Sequence, residues 1–102
     1  MLKFSKRHKS RKKTGWILRP ETEIDHSSVE ECPPADGKRY TLEELHKMVG
    51  GYFQIVSLEE KYIILADEDG FSKRLPRNEF ASYLYGKFLV GNVAVINRKL
   101  FV

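Results

Sequence analysis

Tyr40-Thr41-Leu42-Glu43-Glu44-Leu45-His46-Lys47-Met48-Val49-Gly50-Gly51 is the stretch on which the fold turns. Thr41 is a side-chain acceptor at a helix start, and Glu44, three residues on, completes a capping box. Tyr40 and Leu45 take the two positions of a hydrophobic staple. Leu42, Leu45, Met48 and Val49 recur at helical spacing as one apolar stripe. Gly50 and Gly51 stop the helix, because glycine enters the left-handed region without steric cost. The spacing therefore predicts a helix over Leu42–Val49. Beyond it the period shortens. Tyr52–Leu58 and Tyr62–Ala66 read as strands joined by Glu59-Glu60-Lys61, and the second, nearly continuous in apolar character, reads as central.

Working outward toward the C-terminus, Asp67-Glu68-Asp69-Gly70 reads as a solvated turn, with Gly70 suited to positive φ. In Phe71–Leu75, Phe71, Lys73 and Leu75 alternate with Ser72 and Arg74, and the segment reads as a third strand, ended by Pro76. Asn78 caps a second helix over Glu79–Tyr85, with Phe80 and Leu84 on one face and Tyr83 beside it. Gly86 closes it. Val93–Ile96 is a last short strand, and Leu100, Phe101 and Val102 dock on the body. Toward the N-terminus, Gly15–Arg19 carries Trp16, Ile17 and Leu18 and reads as a short strand, or as the first docked piece of the domain, limited by Pro20. Residues 21–37 are acidic and polar, punctuated by Pro33-Pro34 and Asp36-Gly37, with a short edge strand around Ser28–Cys32. The resulting β-α-β-β-(β)-α-β order predicts a small α+β domain: a mixed or antiparallel sheet with two helices packed on one face. The other face is then open to water or to a partner.

Charge divides the chain differently. Lys3, Lys6, Arg7, Lys9, Arg11, Lys12 and Lys13 place seven cations and no acid in residues 1–13. The net charge of +4 is the difference between that +7 and a remainder of −3. Like charges repel, and there is little here to bury, so residues 1–14 read as a disordered basic arm and 15–102 as a single domain. The arm suits a polyanion: duplex DNA, RNA or an acidic protein surface. Its seven cations are the candidate nucleic-acid-binding residues. Only Phe4 interleaves with them among the aromatics, so the arm offers no base-stacking platform.

No apolar run approaches the length of a membrane span, and the basic start lacks the apolar stretch of a signal peptide. With one cysteine, Cys32, neither an internal disulfide nor a cysteine-built zinc site is expected. These features point to a cytoplasmic protein. His8, His26 and His46 show no ligand spacing. The three carboxylates of Asp67-Glu68-Asp69 lack the further ligand positions of an EF-hand loop. Gly50-Gly51 lacks the flanking residues of a phosphate loop. No nucleophile stands beside a base. Neither a catalytic centre, a metal nor a cofactor is expected. The aromatics Tyr52, Phe53, Tyr62, Phe71, Phe80, Tyr83, Tyr85 and Phe88 fall mostly at core-compatible positions.

The run Tyr40 to Tyr52 resembles the opening signature of the domain of unknown function 3846 family. Tyr62-Ile63-Ile64-Leu65-Ala66-Asp67-Glu68-Asp69-Gly70 is similar to its apolar strand and acidic turn. Leu75-Pro76-Arg77-Asn78, Leu84-Tyr85-Gly86 and Gly91-Asn92-Val93-Ala94-Val95 follow in the family's order. Asp67 stands where family members often carry Asn, and Asn92 where they often carry Asp. The family supplies no catalytic residues. The resemblance implies a phage, plasmid or other mobile-element accessory protein acting on a host machine. The basic arm is an addition to the usual domain. Two functions follow as expectations. One is a non-enzymatic module that binds nucleic acid, or a nucleic-acid-processing complex, through the arm. The other is a protein-only inhibitor or adaptor of a host complex, acting through the folded domain. A small uncharacterised enzyme is the remaining alternative.

Overall fold

A computed structural model describes residues 13–20 and 29–101. Strand β1 (Gly15–Leu18) and the two-residue β2 (Glu30–Glu31) precede helix α1 (Leu42–Val49). Strands β3 (Phe53–Leu58) and β4 (Tyr62–Asp67) form a hairpin. Helix α2 (Glu79–Tyr85), strand β5 (Val93–Asn97) and a 3-10 turn (Arg98–Leu100) complete the described chain. The strands form one antiparallel sheet in the order β2-β1-β5-β4-β3. The domain is therefore α+β, as its sequence predicts.

Both helices form where local signals place them. The Thr41 hydroxyl accepts the Glu44 N–H, and the Glu44 carboxylate accepts the Thr41 N–H at 2.7 Å. Gly50 ends α1 in the left-handed region at φ 89°. Asn78 caps α2 by accepting the Ala81 N–H at 3.0 Å. Tyr40 and Leu45 are both buried, as a staple requires. Leu42, assigned by spacing to the buried stripe, is 53% exposed. The stripe is narrowed to Leu45, Met48 and Val49.

Alternation along the inner strands corrects the arrangement of the helices on one face. Ile17, Ile63, Leu65, Ala94 and Ile96 join the α1 residues Leu45, Met48 and Val49 in one cluster. Their strand neighbours Trp16, Leu18, Ile64, Ala66, Val93 and Val95 join Phe80 and Ala81 of α2 in a second. Successive strand residues point to opposite faces, so each helix covers its own face of β1, β5 and β4. No face of these inner strands is left open. Burial on both sides also explains the continuous apolar runs of β4 and β5. The middle place in the sheet belongs to β5, with β4 beside it.

Three further readings change. Phe71–Leu75 is not a strand. Residues 71–74 wind as turns, with the Lys73 N–H on the Asp69 carbonyl and the Leu75 N–H on the Gly70 carbonyl. The left-handed position in this loop is taken by Arg74 at φ 56°, not by Gly70. Gly70 is needed for space: a Cβ there would lie 2.7 Å from a methyl of Val90. Asp67 is not part of a solvated turn. It ends β4, is buried, accepts the Asp69 N–H at 2.8 Å, and pairs with Lys73 at 2.8 Å.

Candidate nucleic-acid interface

Lys3, Lys6, Arg7, Lys9, Arg11 and Lys12 lie outside the described residues. The described chain begins at Lys13, which is exposed. Thr14, placed by sequence in the arm, is 3% exposed, and its carbonyl accepts the Asn97 N–H at 3.2 Å. Strand pairing thus reaches the base of the arm, and Gly15 sits opposite Ile96 near the end of β5.

What surrounds that point is set by how β5 ends. The Asn97 side chain accepts the Lys99 N–H at 3.0 Å and starts the 3-10 turn. Leu100 folds into the core, and its carbonyl accepts the Tyr40 N–H at 2.9 Å. Burying Leu100 leaves Arg98 and Lys99 outside, both exposed. The Arg98 N–H bonds the Lys61 carbonyl at 2.9 Å, and its guanidinium donates to the Glu59 carbonyl at 3.0 Å. The hairpin tip is thereby tied to the 3-10 turn, so Lys61 is held near Arg98.

On the other side, the Asp36 carboxylate accepts the N–H groups of Lys38 and Arg39 at 2.7 and 3.0 Å. These two bonds hold its carboxyl below the usual range. The loop so fixed is one wall of an open cleft of about 800 Å³ lined by Lys13, Thr14, Glu31, Lys38 and Lys99 among others. A second hollow of about 230 Å³ is lined by Lys13, Glu60, Lys61, Asn97, Arg98 and Lys99. Lys13 and Lys99 border both. Lys13, Lys38, Lys61, Arg98 and Lys99 therefore ring the root of the arm, against Glu31, Asp36 and Glu60 on the same rims. The ion pairs among the described residues, Arg19–Glu30, Lys73–Asp67 and Arg77–Glu79, use none of the five.

No family model, curated protein or solved structure matches the chain.

Of the predicted site residues, the structure places only Lys13 at this cluster. Sequence reasoning missed Lys38, Lys61, Arg98 and Lys99. They are scattered over more than sixty positions, and only the β1–β5 register and the buried Leu100 bring them together.

Cys32 is a half-buried free thiol, and burial raises its pKa, with Glu30 and Glu44 adding to the effect. Its carbonyl accepts the hydroxyl of Tyr40. His46 packs edge-on against Tyr52, 5.1 Å between ring centres. His8 and His26 lie outside the described residues. Among the described residues no group of three His, Cys, Asp or Glu side chains is arranged to hold a metal ion. Nor is any described helix long and apolar enough to cross a membrane.

Proposed function

We propose that this protein is a non-enzymatic binding module that engages nucleic acid, or a nucleoprotein complex, through its basic arm and the cations at the arm's root. The observation that carries this reading is the collection of Lys13, Lys38, Lys61, Arg98 and Lys99 where the arm joins the sheet. A body whose overall charge is negative presents a cationic rim at this one end. Arm and rim then act as one electrostatic surface. Lys3, Lys6, Arg7, Lys9, Arg11, Lys12 and Lys13 contact phosphates, and the rim fixes how the domain sits on them. Phosphate contacts position without reading sequence, so selectivity among sequences is low. The resemblance to the domain of unknown function 3846 family adds a setting: a cytoplasmic mobile-element accessory protein acting on a host nucleic-acid-processing machine.

The test is a salt titration. The full chain, a chain lacking residues 1–13, and a Lys38→Glu/Lys61→Glu/Arg98→Glu/Lys99→Glu variant are each titrated with a labelled DNA duplex. Each phosphate neutralised contributes a slope of about 0.9 in log affinity against log salt. Losing the arm removes most of the affinity and flattens the slope. The four-site variant weakens binding and flattens the slope by a smaller amount. Equal affinity and slope with and without the arm would sink the proposal.

A further inference from the structure

The arm has no aromatic platform, but the body has one. Phe71 and Phe88 are 64% and 56% exposed. Their rings stack on one another, 5.6 Å between centres and 24° between planes. The Arg77 guanidinium lies 5.0 Å from the centre of the Phe88 ring. Arg74 is exposed on the same loop. Single exposed phenylalanines are unremarkable, but a stacked pair with a guanidinium over one ring is a contiguous aromatic and cationic patch.

This surface is rigidly built. Arg77 pairs with Val90 as an antiparallel bridge. It is flanked by bonds from the Asn78 N–H to the Leu89 carbonyl and from the Gly91 N–H to the Pro76 carbonyl, both 2.8 Å. Gly70 packs against Val90, and the Lys73–Asp67 pair anchors the loop to the end of β4. Arg74 is the one non-glycine residue with positive φ among those described. Strain of that kind persists where surrounding contacts impose it, and it clusters at functional positions.

We infer that Phe71, Phe88 and Arg77 form a base-stacking site for single-stranded nucleic acid. Every base has a π face, and exposed aromatic rings with an adjacent arginine are what such a strand recognises. Duplex DNA keeps its bases stacked internally and offers this surface little. Glu79 pairs with Arg77 at 3.7 Å, so the discriminating contact here is stacking rather than phosphate attraction. The site lies at the Leu18–Val93 end of the sheet, and the cationic rim at the Gly15–Ile96 end. This inference rests on the nucleic-acid reading above and extends it from backbone to bases.

The experiment compares three labelled probes: an oligothymidylate, an abasic strand with the same number of phosphates, and a duplex. Full-length wild type, Phe71→Ala/Phe88→Ala and Phe71→Leu/Phe88→Leu are titrated with each. The leucine pair keeps apolar bulk but removes the flat rings, and a melting curve for each variant checks the fold. Wild type is expected to prefer oligothymidylate over the abasic strand by about ten-fold or more. Both variants erase that preference and leave abasic and duplex binding unchanged, with the same salt slopes. Variants that bind oligothymidylate like wild type overturn the inference, as does an equal loss on all three probes. Loss of a captured host protein without loss of oligothymidylate binding also overturns it, assigning the surface to protein recognition. A wild type with no preference between oligothymidylate and abasic strand overturns it while leaving the arm reading intact. A wild type that binds none of the probes removes both.

Discussion

The carboxamide of Asn78 has no contact with water, and all of its polar atoms are engaged. Its nitrogen donates to the Leu18 carbonyl at 2.7 Å and the Gly91 carbonyl at 2.8 Å, while its oxygen caps α2. One side chain thus joins the end of β1, the approach to β5 and the start of a helix. The sequence identifies the cap, since Asn before an apolar-periodic run is a start signal. The two long-range carbonyls were not legible, because nothing local marks them. Asn78→Ala removes the cap and orphans two buried acceptors, costing about 2–4 kcal/mol. Asn78→Asp keeps the cap but aims an anion at both carbonyls, and it is expected to destabilise at least as much. Urea unfolding of both variants checks this, and an aspartate variant as stable as wild type would refute the donor role. Tyr85 is a counterexample in the same core. Its hydroxyl is sealed from water with no hydrogen-bond partner among the described residues, and burial pushes its pKa upward.

At the scale of elements, legibility follows locality. Both helices were readable to the residue because caps, stripe and stop signals lie within a dozen positions of one another. The Phe71–Leu75 loop was not, because its alternation imitates a strand. What defeats strand pairing there is tertiary: the seat of Gly70 on Val90 and the salt bridge from Lys73 to buried Asp67. Which face each helix covers was equally hidden, since strand alternation fixes two faces without saying which helix takes which. The α1 capping box also sets a pH response. The Thr41 N–H, followed by that of Ala35, holds the Glu44 carboxyl below its usual value. A depressed carboxylate adds stability above the unfolded value, about 4.3, and that share is lost as pH falls through the folded one. Thr41→Ala is expected to cost about 1 kcal/mol. Glu44→Gln should lower the stability at neutral pH and reduce its dependence on acid. Urea midpoints measured from neutral pH down to about pH 3 test this, and an unchanged acid slope in Glu44→Gln would contradict it.

For the molecule as a whole, the alkaline limit is set by groups held protonated in the fold. Asp67 raises the pKa of Lys73, and burial raises those of Tyr40 and Tyr85. A raised folded value gives stability that is complete below the unfolded one, about 10, and lost as pH climbs beyond it. The urea midpoint should therefore hold level to about pH 9 and fall above about pH 10, less steeply in Tyr85→Phe. A level midpoint through that range would show these groups are not linked to folding. The candidate site was half legible at this scale. A run of cations is visible in any sequence, whereas the rim and the aromatic pair needed the sheet register to assemble. That register also has a mechanical meaning. Gly15 faces Ile96, so the chain enters β1 and leaves β5 at the same end of the sheet, on two inner strands that pair antiparallel. A load carried between the arm and the C-terminus would act on their hydrogen bonds one after another, like a zipper opened from its pull. Anchored at its arm to a long polymer, the domain would yield at low force when drawn by its tail and close again once released.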